Sequence, residues 1–385
     1  MAEQGRRGFM AGVLAIAGLA ATAGRAQTNG TARRWDGREE PVLIPDPDVI
    51  ALDPAFEPLL VGNAVIERTW TGGDWLEGPA WSAQGQYLLF SDVRRDRQHR
   101  LLWENGAVSV RRAPSGFSNG NIFDHQGRQV SCQHGRRRVV RVEHDGSVRV
   151  LADAFEGQPF NSPNDLVSHP DGSIWFTDPP YGRMLAEGQP DAPGGPANHD
   201  GRFDGAVGTG FVAPLPPASA RRPGGVYRWD PSGTVERVLD EGDLPMPNGL
   251  AFAPDHATLY VASTPAGPGT PPPPAGDKAI HAFPVQGRRL GRGRRFSAMT
   301  VEGAAYPPDG FRVDRAGNLW CASAGAAGHA GVLVLSPAGK PLGRIRLPEA
   351  CANLTFGGPR RDTLFMCATR SIYRLQVNAQ GHAPS

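Results

Sequence analysis

Six positions along the chain put an oxygen-bearing side chain at the head of a similar phrase: Glu77, Asn119, Asn164, Asn248, Asp309 and Asn353. Five are followed by Gly or Asp, and Asn353 by Leu. None is His or Cys, so the nitrogen and sulfur donors that zinc prefers are missing. If a fold brings the six together, two carboxylates meet among four amides. Stripping a carboxylate of water costs several kcal/mol unless a positive charge compensates it. No Lys or Arg occupies a head position. One divalent cation would answer the need, and an all-oxygen donor set suits Ca2+ best. Mg2+, Mn2+ and, less well matched, Zn2+ stay open. A single Asn-Gly or Asp-Gly is an ordinary turn dipeptide. Six in register argue for more.

The elements that must position these heads are strands. After each head comes a short apolar run, in most copies a turn such as Gln126-Gly127, Asp171-Gly172 or Ala316-Gly317, and then a β-rich run such as Tyr87-Leu88-Leu89-Phe90 or Ile174-Trp175-Phe176-Thr177. Head-to-head spacings are 42, 45, 84, 61 and 44 residues. Three of them match a four-stranded propeller blade of ~40–45 residues. The two long ones contain insertions, 183–223 rich in Gly and Pro and 264–278 with Pro271 to Pro274, after which the repeat resumes. The expected fold is therefore all-β, a six-bladed β-propeller over 65–377. A leader at 1–26, an N-terminal extension at 27–64 and a tail at 378–385 flank it. The last copy runs out near Val377, so the strand around Val65 to Thr69 is expected to complete it and close the ring, leaving no long open edge. Equivalent positions of successive blades then surround one axis, where the heads would converge.

Composition sets the limits. With 50 Gly, 37 Pro and a 39% hydrophobic share, the chain has many turns and an ordinary core supply. Arg6-Arg7, the short apolar run Val13 to Ala17 and the small residues up to Ala26 form a secretory leader of twin-arginine type. This predicts passage through the twin-arginine export machinery to a periplasmic or secreted mature protein, with no membrane attachment after cleavage. The net charge of +2 disappears with the leader, which disfavours a general nucleic-acid partner. The clusters at Arg136 to Arg138 and Arg288 to Arg295 read as solvated hairpins. Cys132, Cys321, Cys351 and Cys367 form no CxxC pair and are expected to be buried thiols. Gly116-Phe117-Ser118-Asn119-Gly120 matches a nucleophile elbow, but a strand follows where a helix is needed.

Glu77-Gly78-Pro79-Ala80-Trp81, Asn161-Ser162-Pro163-Asn164-Asp165-Leu166, Phe176-Thr177-Asp178-Pro179-Pro180-Tyr181-Gly182, Pro247-Asn248-Gly249-Leu250 and Pro308-Asp309-Gly310 occur in this order. Together they resemble the SMP-30/gluconolactonase/luciferin-regenerating-enzyme family, from about Val65 to Leu375, with the bacterial gluconolactonase branch most similar. The resemblance implies a metal-dependent lactonase whose substrate is a small sugar lactone. It places the metal on Glu77, Asn164, Asn248 and Asp309, with Asn119 and Asn353 in the ring but not ligating. Asp309 is the implied catalytic base, taking a proton from the attacking water. The alternative is that the cation acidifies the water and Asp309 positions it. Asn119, His134 and Tyr181 are expected to contact substrate; Gln133 stands where the branch often has Glu. Two competing readings are a hydrolase of another ester or phosphotriester on the same scaffold and a non-catalytic binding propeller with a structural cation.

Overall fold

The computed structural model describes residues 43–184, 224–264, 278–326 and 328–382. The expected leader and most of both insertions lie outside them. Each copy of the repeat folds into an antiparallel blade whose first strand begins within two residues of its head. Blade 1 is Leu76–Ser82, Tyr87–Asp92, Arg97–Leu102 and Val108–Arg112; blade 2 is Ser118–Phe123, Gln129–Gln133, Arg138–Val142 and Val148–Ala152. Blade 3 is Leu166–Ser168, Ile174–Asp178, Gly225–Trp229 and Val235–Asp240. Blade 4 is Pro247–Phe252, Thr258–Ser263, Ala279–Gln286 and Arg294–Ser297, with Arg289–Leu290 added on Ala279–Gln286. Blade 5 is Pro308–Val313, Leu319–Ser323, Gly331–Leu335 and Pro341–Arg346. Blade 6 takes Cys351–Gly357, Thr363–Ala368 and Ser371–Gln376 from the end of the chain and Glu67–Thr71 from the beginning, with Glu67 opposite Arg374. The inner strands neighbour one another in the order of the blades, and the sixth returns to the first. The ring is closed.

The turn chemistry repeats as the sequence does. In blade 2 the Asp124 carboxylate accepts the Gln126 and Arg128 amides, and Gly127 turns at φ +75°. In blade 5 Asp314 does the same for Ala316 and Asn318, with Gly317 at φ +86°. A side chain at either glycine would be strained in that left-handed region, which is why Gly recurs there.

The core is divided into six apolar clusters, one at each junction between neighbouring blades. Five are substantial. The junction of blades 1 and 2 has only Ala80, Leu89 and Phe123 with Tyr87 against them, and polar side chains fill the rest. Asn121 there donates to the Gly78 carbonyl at 2.8 Å, to Ser91 Oγ at 2.9 Å and to the Asn119 carbonyl at 3.0 Å. Its Oδ1 accepts Gln98 at 2.8 Å and Ser131 at 2.6 Å. Every bond of this amide is made, so its burial is stabilising rather than costly.

The stretch before the ring is built into it. Val49–Ala51 adds a fifth strand to blade 5, and Asp53 caps a 3-10 helix over Pro54–Leu59 that drives the fully buried Phe56 against Trp320. The end of the chain packs too: the Gly381 amide bonds the Arg361 carbonyl and the His382 amide the Val313 carbonyl. All four cysteines are buried free thiols. Ser118 is fully buried in an inner strand and shares a hydrogen bond with Ser91, so the elbow-like motif presents no nucleophile. No helix among the described residues is long and apolar enough to cross a membrane.

Candidate active site at the propeller axis

The closeness of the heads is written in their glycines. A Cβ on Gly78 would stand 1.9 Å from the Asn119 carbonyl oxygen, one on Gly120 2.5 Å from that of Asn164, and one on Gly249 2.3 Å from that of Asp309. One on Gly310 would stand 2.1 Å from Asn353 Cγ. Each glycine following a head therefore lets the next blade's head approach. The Gly120 amide also donates to the Asn164 carbonyl at 2.8 Å, tying blade 2 to blade 3.

A local motif holds the head of blade 3. Before Asn164, the Asn161 and Ser162 amides donate to the Asp178 carboxylate at 2.9 and 2.8 Å, and the Gly182 amide donates to Ser162 Oγ at 2.9 Å. The two blade 3 motifs thus interlock. Past them, Tyr181 is buried and donates to the Thr264 carbonyl at 3.2 Å, with the Asn248 side chain near enough to act on its hydroxyl. Thr264 Oγ1 in turn reaches the Pro308 carbonyl at 2.7 Å, one residue before Asp309. Tyr181, Asn248 and Asp309 are so linked across blades 3, 4 and 5.

The electrostatics are those of an under-compensated acidic site. Burial, then the charges of Asp309 and Asp165, hold the Glu77 carboxyl well above the usual carboxylate range. Burial and Asp165 push Asp309 up as well, opposed by hydrogen bonds from Asn248 and the Gly310 amide. Burial and Asp309 push the Tyr181 hydroxyl up, so it stays a neutral donor. The amides divide into two kinds. Asn353 Oδ1 accepts the Leu354 amide at 2.9 Å, its Nδ2 faces Asp165 Oδ2 at 3.4 Å, and its side chain acts to lower the Glu77 pKa. It presents donors to carboxylates, and one of the two lone pairs of its oxygen is already engaged. Asn119 Oδ1 is buried without a partner, a free acceptor in the ring.

Among the described residues no three His, Cys, Asp or Glu side chains group as metal ligands. A cation at this ring would rest on Glu77 and Asp309 with amide oxygens. That donor set fits Ca2+: hard oxygen donors, and two carboxylates whose mutual repulsion needs a positive charge.

His134 is placed differently from the other sequence candidates. It follows Gln129–Gln133, its amide donates to the Phe117 carbonyl at 3.0 Å, and its side chain is fully buried. Gln133 is committed nearby: its Nε2 donates to the Ser115 carbonyl at 2.6 Å and its Oε1 accepts Arg138 at 2.7 Å. Sequence reasoning missed two groups at the axis. Asp165 is a third carboxylate, 1% exposed, and Arg312 approaches its Oδ2 at 3.4 Å. No basic residue heads a blade, yet Arg312 comes in from three positions deeper. An arginine between Phe311 and Val313 in a buried inner strand was the available signal.

The SMP-30/Gluconolactonase/LRE-like region family matches residues 75–370. A gluconolactonase of Zymomonas mobilis is 28% identical over 357 residues, 86% of this chain and 87% of its own length. A 6-deoxy-6-sulfogluconolactonase of Pseudomonas putida is 27% identical over 295 residues, 76% of this chain and 83% of its own. The solved structure of a Xanthomonas campestris gluconolactonase superposes with a TM-score of 0.68 at 33% identity, covering 86% of this chain and 94% of that one.

Proposed function

The chain belongs to the SMP-30/gluconolactonase/LRE-like family, and from that premise we propose that it opens a sugar lactone of the gluconolactone type with one divalent cation, best calcium, at its axis. It is a hydrolase of the lactonase kind, in keeping with the names its relatives carry. The observation that carries the finer reading is the convergence of Glu77 and Asp309, both with raised carboxyl pKa, with the Asn248 side chain acting on Asp309. Those three and, as the family resemblance implies, Asn164 would hold the ion. When bound, it supplies Lewis-acid polarisation of the lactone carbonyl.

The chain's own groups do the rest. Asp309 is half-buried with Asn248 fixing its carboxylate, and it takes a proton from the attacking water as the oxygen bonds to the carbonyl carbon. The tetrahedral adduct collapses by breaking the ring C–O bond, and the same proton passes to the departing ring oxygen, giving the hydroxy acid. Tyr181, kept protonated by burial, and Asn119, with its unpartnered Oδ1, can hold substrate hydroxyls. The Arg6-Arg7 leader supports export by the twin-arginine route and a periplasmic or secreted setting.

The test is hydrolysis of glucono-1,5-lactone followed by pH-stat. Activity should vanish after EDTA treatment, return with CaCl2, and be lost in Asp309→Asn with the fold intact by circular dichroism. Full activity in metal-stripped protein would end the cation reading. An active Asp309→Asn variant would end the assignment of the base.

A further inference from the structure

At the end of the propeller away from the heads, Gln380, Gly381 and His382 are fastened across three blades. Arg315, in the first turn of blade 5, donates its amide to the Gln380 carbonyl at 2.8 Å and its Nη1 to Gln380 Oε1 at 2.7 Å. The Gly381 amide donates to the Arg361 carbonyl at 2.9 Å and the His382 amide to the Val313 carbonyl at 3.0 Å. Arg361, in the first turn of blade 6, returns a bond from Nη2 to the His382 carbonyl at 3.1 Å. The His382 ring then lies against His256 of blade 4, with centroids 5.3 Å apart, and His256 is equally close to His169 of blade 3. The strand gripped in this way, Pro308–Val313, carries Asp309 at its other end.

We propose that Gln380, Gly381 and His382 form an acid-released clamp on this end of the propeller, with the contact between His256 and His382 as its sensor. The charges facing the two rings are mostly positive. Burial, then Arg361, Arg315 and His125, hold the His382 pKa below its ordinary value. Burial, then His382, His169 and His125, do the same for His256, opposed by Asp255. The other carboxylates of these turns are engaged: Asp124 with Arg128, Asp171 with Arg228 and His169, Asp314 with Asn318 and Trp320, and Asp362 with Arg360. His382 Nε2 is buried with no hydrogen-bond partner, so a proton added there finds no acceptor. Neutral rings pack against each other; charged ones repel each other and the two arginines. The clamped state therefore binds fewer protons than the released one. Its hold is full above pH 6.5, the ordinary His value, and weakens as pH falls below it.

The test is hydrogen exchange of the full chain, read by mass spectrometry at about pH 7.5 and about pH 5.5 and corrected for the intrinsic pH dependence of amide exchange. The Gly381 and His382 amides report the clamp, and those of Ile174–Asp178 report the ring of blades. Each imidazole barred from charging while clamped raises opening about tenfold per pH unit below 6.5. Corrected exchange of the two clamp amides should therefore rise about tenfold to a hundredfold at the lower pH, with Ile174–Asp178 still protected. His256→Phe combined with His382→Phe should hold that rise to within about threefold. If phenylalanine loosens the clamp at the higher pH, His256→Gln with His382→Gln carries the same expectation. A wild-type rise below about threefold overturns the clamp, as does a double variant as acid-sensitive as wild type. Loss of protection in Ile174–Asp178 together with the clamp amides overturns it too, because the whole propeller would then be opening.

Discussion

Replacing Gly249 with alanine tests whether the approach of neighbouring heads positions the chemistry. The backbone at Gly249 is not left-handed, so alanine brings no φ penalty there. What it brings is a Cβ 2.3 Å from the Asp309 carbonyl oxygen and 2.8 Å from Gly310 Cα. Both obstacles are backbone, so no side chain can swing aside. Reaching an ordinary contact of 3.4 Å requires the heads of blades 4 and 5 to part by about 1.1 Å. Overpacking of this kind costs about 1–3 kcal/mol, a drop in Tm of several degrees. The parting separates Asn248 from Asp309, and a misplacement of ~1 Å at reacting groups costs roughly a hundredfold in rate. Gly249→Ala should therefore remain folded but lose about a hundredfold in kcat/KM for glucono-1,5-lactone. Gly224→Ala is the control, since its Cβ would find nothing nearer than 3.6 Å. If Gly249→Ala keeps kcat/KM within about threefold of wild type, head-to-head contact does not set this geometry and the reasoning fails.

Two further outcomes concern stability. Phe56→Ala should cost about 3–5 kcal/mol in urea unfolding, because a fully buried ring is lost from the junction of blades 5 and 6; a loss below about 1 kcal/mol would mean the N-terminal stretch is an ornament rather than core. His99 is buried between Phe90 and Trp70, and burial together with Arg97 and Arg95 lowers its pKa from 6.5 to about 4. The unfolded chain then binds a proton that the folded one refuses, so stability from this site is full above pH 6.5 and drains away as pH falls toward 4. His99→Phe should flatten the stability profile in that window; parallel profiles for variant and wild type would refute the assignment.

The repeat was legible because it is local. Six oxygen-bearing heads and their spacings follow from the strand periodicity and turn residues of each blade, and every blade must present the same face to one axis. The closing strand was legible for the same reason: a last blade short of one strand and a spare β-rich segment at the start leave one pairing. The N-terminal stretch was not. Val49–Ala51 and Phe56 are ordinary apolar residues whose partners, Ile345 and Trp320, lie nearly three hundred positions away, and no periodicity links them.

Within the site the division is finer. Residue types by themselves determined that the axis would be lined by oxygen, with two carboxylates and no head lysine or arginine. Only the tertiary structure decided which amide is spent and which is open: Asn119 and Asn353 look equivalent in the chain, yet Asn353 Oδ1 accepts the Leu354 amide while Asn119 Oδ1 has no partner. It also decided that Asp165 of blade 3 and Arg312 of blade 5 meet across the channel. Hydrogen-bond partners and charge balance depend on distances between strands far apart in sequence. A chain read in order contains the donors and acceptors, but folding alone assigns them to each other.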